Sequence, residues 1–250
     1  MTADANLIIE DGPDRVVWRL NRPEARNAID REMVRALHEA CAAVEDEPRV
    51  VLLTGEGQAF AAGADIGQLR DRRRDDALQG INSKIFDRIH RLPMPTVALV
   101  DGYALGGGAE LAYACDFRIG TPRTKIGNPE TDLGILAAAG AAWRLADLVG
   151  EPLAKEILLA GRVLTADEAR AVHLLNDVVD PDDLLAAGHR LADRITARAP
   201  LATRLTKAVF HAPRDAHPFV DDLAQAVLFE TADKHDRMTA FLDRRKDKRS

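Results

Sequence analysis

Short apolar runs recur through the first half of the chain. The segments RVVWRL (15–20), RVVLLTG (49–55) and PTVALVDG (95–102) are almost continuously apolar. Runs of this length that are rich in valine and leucine are typical of strands, and runs without polar alternation are typical of buried strands. The pattern therefore predicts at least three strands, the last two of them buried.

Helical periodicity occupies the segments between these strands. Asp30 is suited to cap a helix that continues to about residue 46, with its apolar residues on one stripe. Residues 75–92 are predicted to form a helix that is closed by Pro93, and AELAYAC (109–115) to form another. Strands that alternate with helices predict an α/β fold built of repeated strand–helix units.

From about residue 140 the strand signal nearly vanishes. The segment GAAWRLADLVGEPLAKEILLAG (140–161) is predicted to form two helices, each closed by a glycine. Thr165 is predicted to open a short helix, and DVVD (177–180) is one last strand-like piece. Residues 182–250 are mostly helical, with apolar stripes that pack either on a core of their own or on another subunit.

Composition limits the class of protein. The chain has 250 residues, 46% of them hydrophobic and 30% charged, which suits one large domain or one domain with a small appendage. A net charge of -6 argues against nucleic acid as the main partner. No apolar run approaches the length of a membrane span, and the first residues lack the charged start and apolar region of a signal peptide.

Cysteine and histidine predict no site of their own. Cys41 and Cys115 form no paired or CxxC pattern, which favours a reduced, cytoplasmic protein. The seven histidines are scattered, with no pair at helical spacing, so no metal site is predicted.

Three consecutive glycines, Gly106 to Gly108, stand between a predicted strand and a predicted helix. Their spacing matches neither the dinucleotide-binding pattern nor the Walker pattern. A tight start of a helix against a strand would normally need only one glycine. The run is therefore favoured as an oxyanion site, where unpaired N–H groups at a helix N-terminus stabilise a carbonyl oxygen that gains negative charge.

Further candidates for chemistry lie on both sides of the glycines. The small-residue segment GQAFAAGADIG (57–67) is either a plain loop or a second source of backbone donors. Glu110 follows Gly107 by one helical turn. Glu130 falls in the first turn of a helix that Asn128 is suited to cap, where a carboxylate also favours the helix dipole. Two carboxylates beside an oxyanion site predict a held water and acid–base chemistry.

Five motifs follow one another along nearly the whole chain: LNRPEARNAID (20–30), GQAFAAGADIGQL (57–69), PTVALVDGYALGGGAELAYACDFRIG (95–120), NPETDLGI (128–135) and FETADKHDRMTAFLDRRK (229–246). Together they resemble the enoyl-CoA hydratase/isomerase, or crotonase, superfamily. The resemblance implies a crotonase-like (ClpP/crotonase) α/β spiral of ββα units over residues 1–195. It also implies a helical trimerisation region over residues 196–250, in a homo-oligomer that is a trimer or a dimer of trimers.

The resemblance implies a site for an acyl-CoA thioester, with no cofactor besides the coenzyme A of the substrate. The oxyanion donors would be the N–H groups of Ala64 and Gly107, with Gly106 giving clearance for the thioester. The path of the coenzyme A adenine and pantetheine would be lined by Ala62, Asp65 and Ile66.

Basic residues are implied for the coenzyme A phosphates. Arg26 lies within the first motif, and Arg244 and Lys246 lie in the last helix, which in this family can come from a neighbouring subunit. Each of them is equally consistent with a solvated surface charge.

Glu110 and Glu130 occupy the positions of the two glutamates of the family's hydratases. The implied reaction is syn hydration of a trans-2-enoyl-CoA, with Glu110 assisting as base while water attacks the β-carbon and Glu130 protonating the α-carbon. Double-bond isomerisation by Glu130 alone and a non-catalytic acyl-CoA-binding protein remain as alternatives.

One segment departs from the family pattern. Where hydratases read Pro-Gly-Ala-Gly-Gly-Thr-Gln-Arg-Leu, this chain continues from Leu136 as AAAGAAWRL (137–145). Ala138 replaces the glycine whose N–H helps to orient the catalytic water, and it lacks the conformational freedom of glycine. Trp143 replaces a smaller polar residue and would fill part of the acyl pocket or of a subunit contact.

Overall fold

The computed structural model describes residues 5–247. The chain divides into two compact units between Ala192 and Asp193. All strands among the described residues belong to the first unit, and α-helices dominate the second. The role in trimerisation that the sequence implies for residues 196–250 stays a prediction.

A six-stranded sheet forms the base of the first unit. Its strands are β1 (Leu7–Asp11), β2 (Arg15–Leu20), β3 (Val50–Gly55), β5 (Thr96–Val100), β7 (Phe117–Gly120) and β10 (Asp177–Val178). They lie in the order β1-β2-β3-β5-β7-β10, and all neighbours are parallel except the antiparallel pair β1 and β2.

A smaller sheet of four short strands has the order β4-β6-β8-β9. Its strands are β4 (Ala59–Ala61), β6 (Tyr103–Leu105), β8 (Lys125–Gly127) and β9 (Val163–Thr165). The first three are parallel, so their carboxyl ends lie at one edge of the sheet, which is the usual place for a ligand in parallel sheets. The chain segments that leave these three ends carry the predicted site residues.

The α-helices connect and cover these sheets in the first unit and make up most of the second. They are α1 (Arg31–Asp46), α2 (Ile66–Asp71), α3 (Arg74–Gln79), α4 (Ile81–His90), α5 (Gly107–Ala114), α6 (Ala141–Val149), α7 (Glu151–Ala160), α8 (Ala166–Ala171), α9 (Leu184–Thr196), α10 (Pro200–Phe210), α11 (Phe219–Phe229) and α12 (Ala232–Asp247).

The longer predicted elements agree with the structure. The strand β3 is buried along nearly its whole length, and β5 is buried throughout. The Asp30 carboxylate accepts a hydrogen bond from the N–H of Met33 at 2.7 Å and so caps α1, whose apolar stripe is buried. Thr165 and Glu168 form a reciprocal capping box at the start of α8.

Two predictions about helices were wrong. Residues 75–92 do not form one helix, because Gly80 adopts φ of +66°, which ends α3 and begins α4. Asn128 does not cap a helix: a short 3-10 helix, Glu130–Leu133, begins after Pro129, and the side chain of Asn128 bonds elsewhere.

A membrane span is not among the described elements. None of the helices within residues 5–247 combines the length and the apolar character that crossing a bilayer requires. Cys41 and Cys115 are both buried, and neither forms a disulfide within the described residues.

Candidate active site

The three glycines at the start of α5 serve three different needs. Gly106 has φ of +53°, and a Cβ there would lie 3.2 Å from Oε1 of Glu130. A Cβ on Gly108 would lie 2.0 Å from the carbonyl oxygen of Ala61, so α5 packs directly on the end of β4. Gly107 alone has room for a side chain. Gly108 is therefore needed for packing against β4.

Two unpaired N–H groups border one small space. A Cβ on Gly107 would point to within 3.4 Å of the backbone nitrogen of Ala64. Within the described part of the chain, neither the N–H of Ala64 nor that of Gly107 donates a hydrogen bond. The N–H of Gly107 also lies at the positive end of the α5 dipole. These two groups are therefore placed to bind an oxygen that carries negative charge.

The segment that carries Ala64 is held from both sides by the first motif. The N–H of Ile29 bonds the carbonyl of Gly63 at 2.8 Å, and the N–H of Asp65 bonds the carbonyl of Ile29 at 3.2 Å. One turn earlier, the N–H of Ala62 bonds the carbonyl of Arg26 at 2.9 Å. This short ladder fixes the direction of the Ala64 N–H.

Glu110 lies on the first turn of α5 and is almost completely buried. Its Oε1 accepts hydrogen bonds from the N–H groups of Ala139, at 2.7 Å, and Ala141, at 3.2 Å. The side chain of Ala138, the residue before Ala139, is exposed, and the role of its backbone N–H in orienting the catalytic water stays a prediction. The start of α6 is thus used to fix the position of the Glu110 carboxyl.

Glu130 follows the end of β8 and is also buried. Its Oε1 accepts a hydrogen bond from Nδ2 of Asn128 at 3.2 Å, and the same nitrogen lies 3.4 Å from the carbonyl oxygen of Gly106. Oε2 of Glu130 is buried and has no partner within the described residues. One carboxyl oxygen is therefore held by the protein while the other is free to contact a ligand.

Burial changes the acidity of both carboxyls. Burial, opposed by the N–H of Ala141 and reinforced by the nearby charge of Glu130, raises the pKa of Glu110 to about 7. Burial also raises the pKa of Glu130, against the effects of its own backbone N–H and of the Asn128 side chain. Both groups favour the neutral form more than an exposed carboxyl does, so near neutral pH the pair can retain a proton.

The residues predicted to line the coenzyme A path lie beside Ala64. Asp65 accepts a hydrogen bond from the N–H of Gln68 at 3.1 Å, which caps α2 and lowers the pKa of its carboxyl. Its other oxygen lies 3.4 Å from Nη2 of Arg22. Ile66 is exposed on α2, and Ala62 is half-buried.

The residues predicted to contact the coenzyme A phosphates are divided between the two units. Arg26 is exposed in the first unit, in a left-handed conformation with φ of +52°. Arg244 and Lys246 are exposed on α12 in the second unit, where Lys246 pairs with Asp243 at 3.2 Å. Their roles stay predictions.

Trp143 is 51% exposed, with the Arg144 guanidinium 5.5 Å from its ring centre.

Two residues that support the site were missed by sequence reasoning. Asn27 is fully buried and bonds the backbone of Arg22, Glu56 and Ala59, which closes the loop of the first motif. Arg144 is buried in α6 and pairs with Asp87 of α4 at 3.2 Å, so it ties the start of α6 to its neighbour. For Arg144, the available sequence signal was an arginine beside the apolar stripe of the helix predicted at 140–150.

Residues 5–247 contain no group of three His, Cys, Asp or Glu side chains suited to a metal ion.

Fold and site together define a class. This is an α/β protein with two sheets, whose paired backbone donors and two buried carboxyls lie at the carboxyl edge of the smaller sheet. The family model described as enoyl-CoA hydratase/isomerase matches residues 16–249, and the chain belongs to this family. The predicted crotonase-like fold is thereby confirmed.

Known relatives resemble the chain over nearly its full length. A crotonyl-CoA hydratase of Syntrophomonas wolfei is 39% identical in an alignment that covers 96% of each protein. A short-chain-enoyl-CoA hydratase of Clostridium acetobutylicum is 35% identical with the same coverage. The crystal structure of an enoyl-CoA hydratase from Bacillus anthracis has a TM-score of 0.90 and 30% identity, and the match covers 96% of each chain.

Proposed function

We propose that the protein is an enoyl-CoA hydratase, which adds water across the double bond of a trans-2-enoyl-CoA to give a 3-hydroxyacyl-CoA. One observation carries this proposal. Two buried carboxyls within electrostatic reach of each other lie beside the paired donor site: Glu110 is on α5, which begins at Gly107, and a Cβ on Gly106 would lie 3.2 Å from Oε1 of Glu130. The names of the relatives, crotonyl-CoA and short-chain enoyl-CoA hydratases, favour a short acyl chain.

The donor site explains why the β-carbon accepts a nucleophile. When the thioester oxygen lies between the N–H groups of Ala64 and Gly107, the negative charge of the enolate is stabilised there. Neither N–H has another acceptor in the described chain, so both are available without reorganisation. Losing one such donor typically costs about 10²- to 10³-fold in rate.

The carboxyl pair accounts for the protons. Glu110 takes a proton from water as its oxygen bonds to the β-carbon, and Glu130 gives its proton to the α-carbon, so the pair holds one proton before and after addition. The proton then passes from Glu110 back to Glu130. The raised pKa of both groups, caused by burial, is compatible with one shared proton near neutral pH.

The remaining assignments are part of the same proposal. Coenzyme A would pass Ala62, Asp65 and Ile66, with Arg26 near its phosphates, and Arg244 and Lys246 would reach those phosphates from the last helix of a neighbouring subunit. Large exposed apolar side chains on α11 and α12 support self-association as a trimer or a dimer of trimers. A cytoplasmic location and the absence of any cofactor besides the coenzyme A of the substrate stay predictions.

The test follows the absorbance of the conjugated thioester in crotonyl-CoA. Wild-type protein is expected to remove this absorbance, and Glu110→Gln or Glu130→Gln to slow the reaction by about 10²- to 10⁴-fold. Glu39→Gln, the same chemical change at an exposed position of α1, is the matched control and is expected to keep the wild-type rate. Wild-type protein that binds crotonyl-CoA but leaves the absorbance unchanged would contradict hydration, and a 3-enoyl-CoA substrate then tests isomerisation.

A further inference from the structure

A polar side chain interrupts the apolar face of α4 close to the donor site. Ile85, Phe86 and Ile89 are fully buried and anchor this helix in the core. Asn82 lies three residues before Ile85 and four before Phe86, so it belongs to the same face, one turn nearer the helix start. An asparagine at such a position needs a partner for its carboxamide.

The protein itself provides no such partner. Asn82 is half-buried, and its Oδ1 is buried without a hydrogen bond to any described residue. Its Nδ2 is not among the buried atoms, so it stays open to a ligand. An unbonded buried polar atom costs about 1–3 kcal/mol, so a carboxamide retained there for packing alone would be unfavourable. Leucine has a similar size and would fill the same space without this cost.

The position of Nδ2 relates the side chain to the site. A Cβ on Gly107 would lie 3.4 Å from the nitrogen of Ala64 and 3.6 Å from Nδ2 of Asn82. The same small space is therefore bordered by three nitrogens: the backbone nitrogens of Gly107 and Ala64 and the side-chain nitrogen of Asn82. An oxygen bound in this space would have a donor from each of three chain segments.

We propose that the Asn82 carboxamide is a further hydrogen-bond donor to the thioester oxygen, beside the N–H groups of Ala64 and Gly107. The inference rests on the proposed function for the identity of the ligand. Because the hydrogen bond strengthens as the oxygen gains enolate charge, Asn82 acts more on the transition state than on substrate binding. Gly80 immediately precedes Ile81, the first residue of α4, so Asn82 lies in the first turn of this helix.

The kinetic test replaces the carboxamide by an apolar group of similar size. Asn82→Leu is expected to lower kcat with crotonyl-CoA by about 10- to 100-fold and to change KM little, because a donor on a side chain is less rigid than a backbone N–H. Asn82→Ala is the second variant, since it fits the same space if leucine disturbs folding. Lys84→Gln, at an exposed position on the same helix, is the control and is expected to behave as wild type.

A spectroscopic test separates this inference from the proposed reaction. A conjugated dienoyl-CoA, bound to protein carrying Glu130→Gln to suppress turnover, is expected to show a red-shifted absorption that Asn82→Leu reduces. If the protein hydrates crotonyl-CoA and Asn82→Leu changes neither the hydration rate nor the absorption shift, the proposed role of Asn82 is overturned. The hydratase proposal then still stands. A chain that shows the Asn82-dependent shift without hydration supports the donor and contradicts the reaction. Faster turnover in Asn82→Leu would also overturn the inference, since the amide oxygen would then face the thioester.

Discussion

The starts of α5 and α6 have similar backbone geometry, but their first N–H groups have different partners. Each helix is preceded by a glycine with positive φ, +53° at Gly106 and +143° at Gly140, and neither has a side chain that caps it. At α5 the first N–H, that of Gly107, has no acceptor in the described chain. At α6 the first N–H, that of Ala141, donates to the carboxyl of Glu110.

The difference shows how one local geometry yields two functions. A helix start offers unpaired N–H groups and a positive dipole end wherever it occurs. At α6 a side chain from α5 occupies that position, and the result is a buried carboxyl that is held in one place. At α5 no side chain does so, and the result is a site for a ligand oxygen. The two helix starts therefore divide the proposed chemistry into proton transfer and charge stabilisation.

The largest effect is expected when the α5 start is blocked. Gly107→Ala puts a methyl group between the two backbone donors, at an ordinary contact distance of 3.4 Å from the nitrogen of Ala64. We expect kcat/KM to fall by about 10²- to 10³-fold while the melting temperature stays near that of wild type. Crotonyl-CoA kinetics and thermal unfolding of the same preparation measure the two effects.

The neighbouring glycine is the matched control for that change. Gly108→Ala puts the same methyl group 2.0 Å from the carbonyl oxygen of Ala61, so α5 must move away from β4. We expect destabilisation of about 3 kcal/mol, the upper end of the usual cost of overpacking, measured by urea unfolding. If instead Gly107→Ala lost stability and kept activity, the α5 start would be a packing site and the comparison would fail.

The next effect concerns the pH dependence of stability at the α6 start. Burial raises the pKa of Glu110 from 4.5 to about 7, so the folded chain retains a proton that the unfolded chain releases between these values. Stability from this group is present in full below about pH 4.5 and is lost as the pH rises through about 7. Glu110→Gln removes the ionisation and keeps an oxygen for the N–H groups of Ala139 and Ala141.

The expected result is a pH-dependent gain in the variant. From pH 4 to pH 8, wild type should lose about 3 kcal/mol of unfolding free energy relative to Glu110→Gln. Urea unfolding of both proteins across this range measures the difference. Stability curves that stay parallel would mean that the folded protein does not perturb Glu110.

The smallest effect is expected when the α6 start is distorted rather than blocked. Gly140→Ala forces a side chain onto a residue with φ of +143° and brings its Cβ to 3.1 Å from Nε of Arg144. The N–H groups that bond Glu110 then shift, which raises the pKa of that base further. We expect kcat/KM to fall about 10-fold, a loss equivalent to one weakened hydrogen bond to a charged group, and the acid limb of its pH profile to move to higher pH.

Gly134→Ala provides the control for backbone strain. Gly134 also has positive φ, +70°, but a Cβ there would meet nothing within 4 Å. We expect it to cost about 1 kcal/mol of stability and to leave the pH profile in place. Equal changes in the two variants would show that strain, and not the Glu110 hydrogen bonds, is responsible.

The sequence predicts the long elements better than the short ones. Strands β3 and β5 are predicted because their sequences are continuously apolar. Helix α1 is predicted because Asp30 is a suitable cap and the apolar stripe begins directly after it. The three-residue strands β4, β6, β8 and β9 were not predicted, because three residues are too few to show a hydrophobic period. These strands form only because they pair with segments far away along the chain. These are the strands that position the site.

The candidate site shows the same division. Glu110, Glu130 and Gly107 stand in recognisable motifs, so the sequence singled them out. The contact between Gly108 and Ala61 depends on how α5 lies against the smaller sheet, and the position of Asn82 depends on how α4 packs on α5. Such contacts join residues far apart in the chain, and neither composition nor local spacing predicts them.

The ladder between Ile29 and the residues on either side of Ala64 has a consequence for protein engineering. Residues 26–29 and 62–65 behave as a single cassette, because each supplies the acceptors that set the other's backbone direction. A graft of the second segment alone onto a related scaffold would carry over the alanine but not the orientation of its N–H. Loop exchange aimed at new substrates should therefore move both segments together, although more than thirty residues separate them along the chain.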